Sequence, residues 1–293
     1  MSFSQTKTEL FQADERTKLL TYEWLPDSEV KAVMIGIHGG MAHGGDWVMP
    51  ALYFKERGIA TYAPDLRYHG TYPQYNRGGK VFFHIDSYDD YVADVQNFYR
   101  FVRQRHPNVP VFIICHSNGG LIGLKYGLSA AKNEDIRGFI VSFPWLENRV
   151  KVSPALKAIA KVMAGVHPTF AVKAPPVTDK LTHDESITAR HYRDEKSGLR
   201  GTTVSAKLGV ESEKTQAWVI RNMKNWERFP VFAVIAGKDE LADPLGSREA
   251  LNSIPSQLLT MVVHEKNYHE NFNEVNREET FGEIWLWMQR HLN

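Results

Sequence analysis

Three segments, Ala32–Ile37, 111–115 and Val231–Ala236, are almost unbroken runs of apolar residues that stop abruptly at glycine or polar residues. A strand apolar at every position must be covered on both faces, which a parallel sheet between helical layers provides. Segments of helical period lie between these runs, most clearly Tyr88–Arg105, where Tyr91, Val92, Val95, Phe98, Tyr99 and Val102 recur at three- and four-residue steps. The alternation predicts crossover helices on a parallel sheet. Further strands are expected at 60–63, 138–143 and 258–263, closing helices at 244–252 and 278–291, and an antiparallel edge pair at 9–12 and 19–23 joined through Asp14 and Glu15.

Residues 145–226 break the pattern. They hold no comparable strand, only helical spacing such as Leu156, Ile159, Ala160 and Met163 and the breaker Ala174-Pro175-Pro176. The expected fold is therefore α/β: a mostly parallel eight-stranded sheet flanked by helices, with a helical cap inserted after the sixth strand. Residues 1–144 and 227–293 would form the core and 145–226 the cap.

With 293 residues, 43% of them hydrophobic, the chain can bury a large core, and 35 Lys and Arg against 34 Asp and Glu leave a net charge of +1. That balance offers no basic footprint for nucleic acid and no charge run to hold a membrane or an acidic protein, so a small-molecule partner is expected. Cys115 is the single cysteine, which excludes an intrachain disulfide, and residues 1–11 lack the basic and apolar regions of a secretion signal. A cytoplasmic protein is expected. The longest stretch without Asp, Glu, Lys or Arg, 106–124, is interrupted by Pro107, Asn108, Pro110, His116, Ser117, Asn118, Gly119 and Gly120, so no transmembrane segment is expected.

The sharpest local signal is Ile113-Ile114-Cys115-His116-Ser117-Asn118-Gly119-Gly120, where a buried strand meets a helix expected over 121–128. A serine at such a turn is held on a strained backbone that lifts its hydroxyl above the sheet, and small residues two before and two after let strand and helix approach. Gly119 meets this requirement, whereas Cys115 stands where the motif has glycine. An ordinary strand-to-helix turn containing a serine is the bland alternative. His38-Gly39-Gly40-Met41 follows the first apolar run and would expose backbone amides at the carboxyl edge of the sheet. The amides of Gly40 and Asn118 are the candidate oxyanion donors, against a plain glycine turn. No phosphate-loop pattern occurs there.

A serine hydroxyl needs a base and a group to orient that base. In sheets carrying this elbow, the acid and then the histidine follow the serine in the chain. Asp239 lies after the run Val231–Ala236, with Asp243 as the rival whose place before Pro244 suits a helix cap. His269 follows the next strand, with His264 as the rival inside that strand. His38 and His43 flank the glycine turn and are expected to serve as hydrogen-bonding posts. No metal is expected, because His264 and His269 are five apart without helical spacing and Cys115 has no cysteine partner.

Across nearly its whole length the chain resembles the monoacylglycerol lipase and lysophospholipase-like α/β-hydrolases, serine hydrolases with a helical cap. The resemblance rests on Ile37-His38-Gly39-Gly40 through His43, Ala63-Pro64-Asp65-Leu66-Arg67-Tyr68-His69-Gly70, His84-Ile85-Asp86-Ser87-Tyr88-Asp89-Asp90-Tyr91, the Ser117 turn, Phe143-Pro144-Trp145-Leu146, Asp239 through Pro244, and Tyr268-His269-Glu270. It implies Ser117, Asp239 and His269 as triad and the Gly40 and Asn118 amides as oxyanion hole. Cys115 replaces the family's glycine, Asn118 a methionine or leucine, Tyr68 a glycine, and Ala42 stands where glutamate is frequent. Those departures bear on substrate preference.

The expected function is a cofactor-free serine carboxylic ester hydrolase that works through an acyl-enzyme, with a monoacylglycerol or lysophospholipid-like ester as substrate. Short-chain esterase, and amidase or peptidase on the same scaffold, are the alternatives within catalysis. A silent fold that only binds ligands would lack a triad member. Leu156, Ile159, Met163, Phe170 and Trp218 would make the cap a greasy lid over the acyl chain, leaving room for transient contact with a lipid surface.

Overall fold

The computed structural model describes residues 5–76, 80–149 and 151–292, so that residues 1–4 of the stretch read for a signal lie outside the described part. The strands are β1 (Lys7–Gln12), β2 (Lys18–Trp24), β3 (Ala32–Ile37), β4 (Ile59–Pro64), β5 (Val111–His116), β6 (Gly138–Ser142), β7 (Ala171–Lys173), β8 (Thr203–Ser205), β9 (Val231–Ala236) and β10 (Leu259–His264). Among the described residues eight of them form one sheet in the order β1-β2-β4-β3-β5-β6-β9-β10. β2 pairs antiparallel with β1 and with β4, and the remaining ladders are parallel.

The helices are α1 (Val48–Lys55), α2 (Tyr72–Tyr75), α3 (Tyr88–Arg105), α4 (Asn118–Leu128), α5 (Pro154–Val166), α6 (Glu185–Ser197), α7 (Ala206–Asn222), α8 (Pro244–Leu251) and α9 (Arg277–Gln289). Alternate residues of the central strands feed two separate cores. Val33, Ile35 and Ile37 pack with Val95 and Phe98 of α3 and Leu121 of α4, whereas Met34 and Ile114 pack on the other face with Phe54 of α1 and Trp287 of α9. Each such side chain removed from water stabilises the sheet by roughly 1.5–3 kcal/mol.

Between the sixth and seventh strands of the main sheet, α5, α6 and α7 are joined by an antiparallel pair, β7 with β8. The apolar-run pattern could not signal strands of three residues that stay half exposed. α5 packs on α7, yet Leu156, Ile159, Val162 and Val166 are 55%, 59%, 64% and 75% exposed, so an apolar face of this helix looks outward. Among the described residues no helix is long and apolar enough to cross a membrane.

Candidate active site

Ser117 sits between β5 and α4 with φ 52° and ψ −116°, a conformation that costs a non-glycine residue about 1–3 kcal/mol. Three backbone hydrogen bonds hold it: its N–H donates to the Ser142 carbonyl at 3.1 Å, and its carbonyl accepts from Leu121 at 3.1 Å and Trp145 at 2.9 Å. The helix begins at Asn118 rather than at the expected 121, because the turn at Ser117 feeds straight into it. Its two flanking small positions have different reasons. A Cβ on Gly119 would fall 2.0 Å from the Ile37 carbonyl oxygen, so only glycine lets α4 cross β3. At the other position the Cys115 side chain is accommodated from α4, where a Cβ on Gly123 would fall 2.8 Å from its Sγ.

The serine hydroxyl lies 2.8 Å from Nε2 of His269, and Nδ1 of that ring faces the Asp239 carboxylate. Because a carboxylate only accepts, Nδ1 carries the proton and Nε2 is left to accept the one from Ser117. Burial disfavours the imidazolium, but the charge and hydrogen bond of Asp239, with Glu270 adding to them, outweigh it and hold the His269 pKa above its ordinary value. Burial would raise the Asp239 carboxyl, yet the facing His269 and the amides of Leu241 and Ala242, at 2.6 and 3.0 Å, keep it below the usual carboxylate range. Asp243 accepts from Leu245 N–H at 3.2 Å and caps α8 instead. His264 ends β10 and meets the Thr280 hydroxyl at 3.1 Å.

The glycine turn closes on this centre from β3, since a Cβ on Gly39 would lie 3.4 Å from that of Ser117. His38 accepts the Leu66 amide at Nε2, 2.9 Å, and therefore donates from Nδ1 to the Gly39 carbonyl at 2.7 Å. Burial, with His69 nearby, pushes its pKa well down, so it is a neutral post for the turn. Gly40 leaves room for Phe83, whose ring would lie 2.3 Å from an added Cβ. Asn118 is buried, its Oδ1 accepts from the Tyr88 hydroxyl at 2.7 Å, and its backbone amide is the first of α4, where amides lack an intrahelical acceptor.

Sequence reasoning missed the polar surroundings of this centre. His116 packs edge-on against His269 with ring centroids 4.8 Å apart, and burial with the facing His269 lowers its pKa to about 4. Glu270 accepts from His191 of α6 at 2.9 Å. The ligand atoms of His43, Asp46 and Asp194 lie within 4.8 Å of one another. Arg200 and Arg190 already face the two carboxylates at 2.8 and 3.5 Å, so guanidinium groups satisfy the charge that a cation would. The arrangement can carry out nucleophilic attack by a serine with a carboxylate-oriented imidazole as base.

Residues 28–276 match the family described as serine aminopeptidase, S33. A monoacylglycerol lipase of Mycolicibacterium smegmatis is 26% identical over 92% of this chain and 92% of its own length. Phospholipase YtpA of Bacillus subtilis is 28% identical over 89% of this chain and 95% of its own. Among solved structures, a monoacylglycerol lipase of Paleococcus ferrophilus superposes with a TM-score of 0.80 at 22% identity, covering 93% of this chain and 99% of that one.

Proposed function

As the chain belongs to the serine aminopeptidase S33 family and is a serine carboxylic ester hydrolase of α/β-hydrolase fold, we propose that it cleaves monoacylglycerols or lysophospholipid-like esters with Ser117, His269 and Asp239. The observation that carries this assignment is the aligned relay of Ser117 hydroxyl, His269 and Asp239 beneath a serine held in a left-handed backbone. Ser117 Oγ attacks the ester carbonyl as His269 Nε2 takes its proton. The Gly40 and Asn118 amides bind the oxyanion, His269 returns the proton to the departing alcohol, and water then releases the acid by the same route. Asp239 holds the imidazole tautomer.

Residues 145–226 act as the cap over a core of 1–144 and 227–293. The outward apolar face of α5, with Lys157 and Lys161 beside it, supports brief contact with the lipid surface that carries the substrate. The single, buried Cys115 fits a cytoplasmic setting. Rates on monoglycerides, lysophospholipids, aryl esters of graded length and matched amides test the reading. Turnover concentrated on long-chain monoesters is expected; preference for the amides would overturn it in favour of a peptidase.

A further inference from the structure

The loop that carries His269 rests on the inserted segment as much as on the core. Glu270 N–H donates to the Leu181 carbonyl at 2.8 Å, and the Thr182 hydroxyl donates to the Asn273 carbonyl at 2.8 Å. His183 donates to Glu274 from its backbone at 3.2 Å and from Nδ1 at 2.9 Å, while its ring stacks on Tyr268 at 3.7 Å. At the centre of this contact is the buried Glu270 carboxylate, which accepts from His191 at 2.9 Å, Asn273 at 2.7 Å and Arg200 at 3.4 Å. Arg200 also donates to Asp46 at 2.8 Å, in the segment that follows the glycine turn. One guanidinium thus spans the histidine loop and the segment that follows the glycine turn.

We propose that Glu270 is a positioning residue for His269 and that His191 and Arg200 lock it in place, so that residues 178–200 of the insertion belong to the catalytic apparatus and not only to a lid. This rests on the reading of His269 as the base. A buried carboxylate without a cation would be too costly to keep ionised, whereas the Arg200 guanidinium, with the hydrogen bonds from His191 and Asn273, keeps Glu270 charged. Its charge then favours the imidazolium that forms during attack, and its hydrogen bonds fix the backbone next to the ring. The insertion accordingly divides into a clamp, residues 178–200, and an outer arm containing α5, whose apolar face is exposed. The charged and titratable groups that face the pair are Asp239 and His116 at the sheet edge, His191 on α6 and Arg200 beyond it, while Asp46 pairs with Arg200 and links it to Arg190, and Asp194 joins Arg190 and His43 behind it.

The test uses the full-length protein, aryl esters of acetate and of a long-chain acid, and kcat/KM from about pH 5 to pH 9. Glu270→Gln is expected to lower kcat on both esters by about tenfold or more with KM changed less than about twofold, because a misplaced base loses rate rather than binding. Its acid limb moves to lower pH, since one negative charge has left the imidazolium. Arg200→Met also lowers kcat and moves the limb to lower pH, because Glu270 loses the guanidinium that keeps it charged, and Arg200→Lys returns the limb toward the wild-type position. A folded Glu270→Gln with wild-type kcat and limb would overturn the proposal. So would a loss of rate in Glu270→Gln and Arg200→Met with neither limb displaced, which is what a purely structural network gives. If Glu270→Gln does not fold, the two Arg200 variants decide by the same criterion. Failure of the underlying reading looks different: the wild type itself would lack an acid limb and would not be labelled at Ser117 by a fluorophosphonate.

Discussion

A cysteine stands where the turn before Ser117 ordinarily needs a glycine, and the structure assigns the compensation to Gly123 of α4, which makes the pair a quantitative test of the packing. Cys115→Ala removes one fully buried sulfur and leaves a small cavity, at a cost of about 1 kcal/mol. Gly123→Ala gains about 1 kcal/mol of helix propensity but sets a methyl 2.8 Å from Sγ between two immobile elements, an overlap costing about 2–3 kcal/mol. The net loss is about 1–2 kcal/mol. In the double variant the new methyl meets the remaining Cβ at position 115, 3.4 Å away, and Ile37 Cδ1 at 4.0 Å, both within ordinary van der Waals contact, and fills the space the sulfur left. Its stability should therefore match the wild type, giving a coupling of about 2–3 kcal/mol between the two sites. Urea unfolding of the four proteins measures this as shifts in midpoint at constant slope. Single-variant losses that add within about 0.5 kcal/mol in the double would refute the reasoning.

Because Asp239 and Glu270 hold the His269 pKa above 6.5, and only the neutral ring accepts the serine proton, kcat/KM should be level at high pH and fall as pH drops through a midpoint above 6.5; a flat profile would contradict this. Burial pushes the Cys115 thiol far up, so Cys115→Ala should keep most activity and iodoacetamide should leave the wild type active; a folded but inactive Cys115→Ala would sink the serine assignment. Leu156→Ser and Ile159→Ser, on the exposed face of α5, should lower rates on long-chain esters more than on acetate esters, and equal losses would mean that the helix is only structural.

The central sheet was readable because β3, β9 and residues 111–115 of β5 are buried on both faces, which calls for an almost unbroken apolar run. The same logic fails for β7 and β8, whose pairing serves the insertion and leaves no apolar run. Glycines at 119, 120 and 123 blurred the start of α4, since they weaken helical patterning while their purpose is close approach to β3, Pro144 and Cys115. Ser117, Asp239 and His269 were each legible at the end of a strand, where the chain must turn polar. The clamp on Glu270 was not, because His191 lies 79 residues away and Arg200 lies 70 away. Neither partner leaves any periodicity in the sequence. Glu270 itself was visible beside His269, but only the fold reveals which charges meet it.

The most direct test of the central claim is active-site labelling located by mass spectrometry and set beside ester turnover. A fluorophosphonate should modify Ser117 of the wild type and abolish hydrolysis, while folded Ser117→Ala should take up no label and lose activity by about a million-fold, as expected for a nucleophile that acts as one unit with its base. Label on any other residue, or near-wild-type turnover by folded Ser117→Ala, would contradict the account.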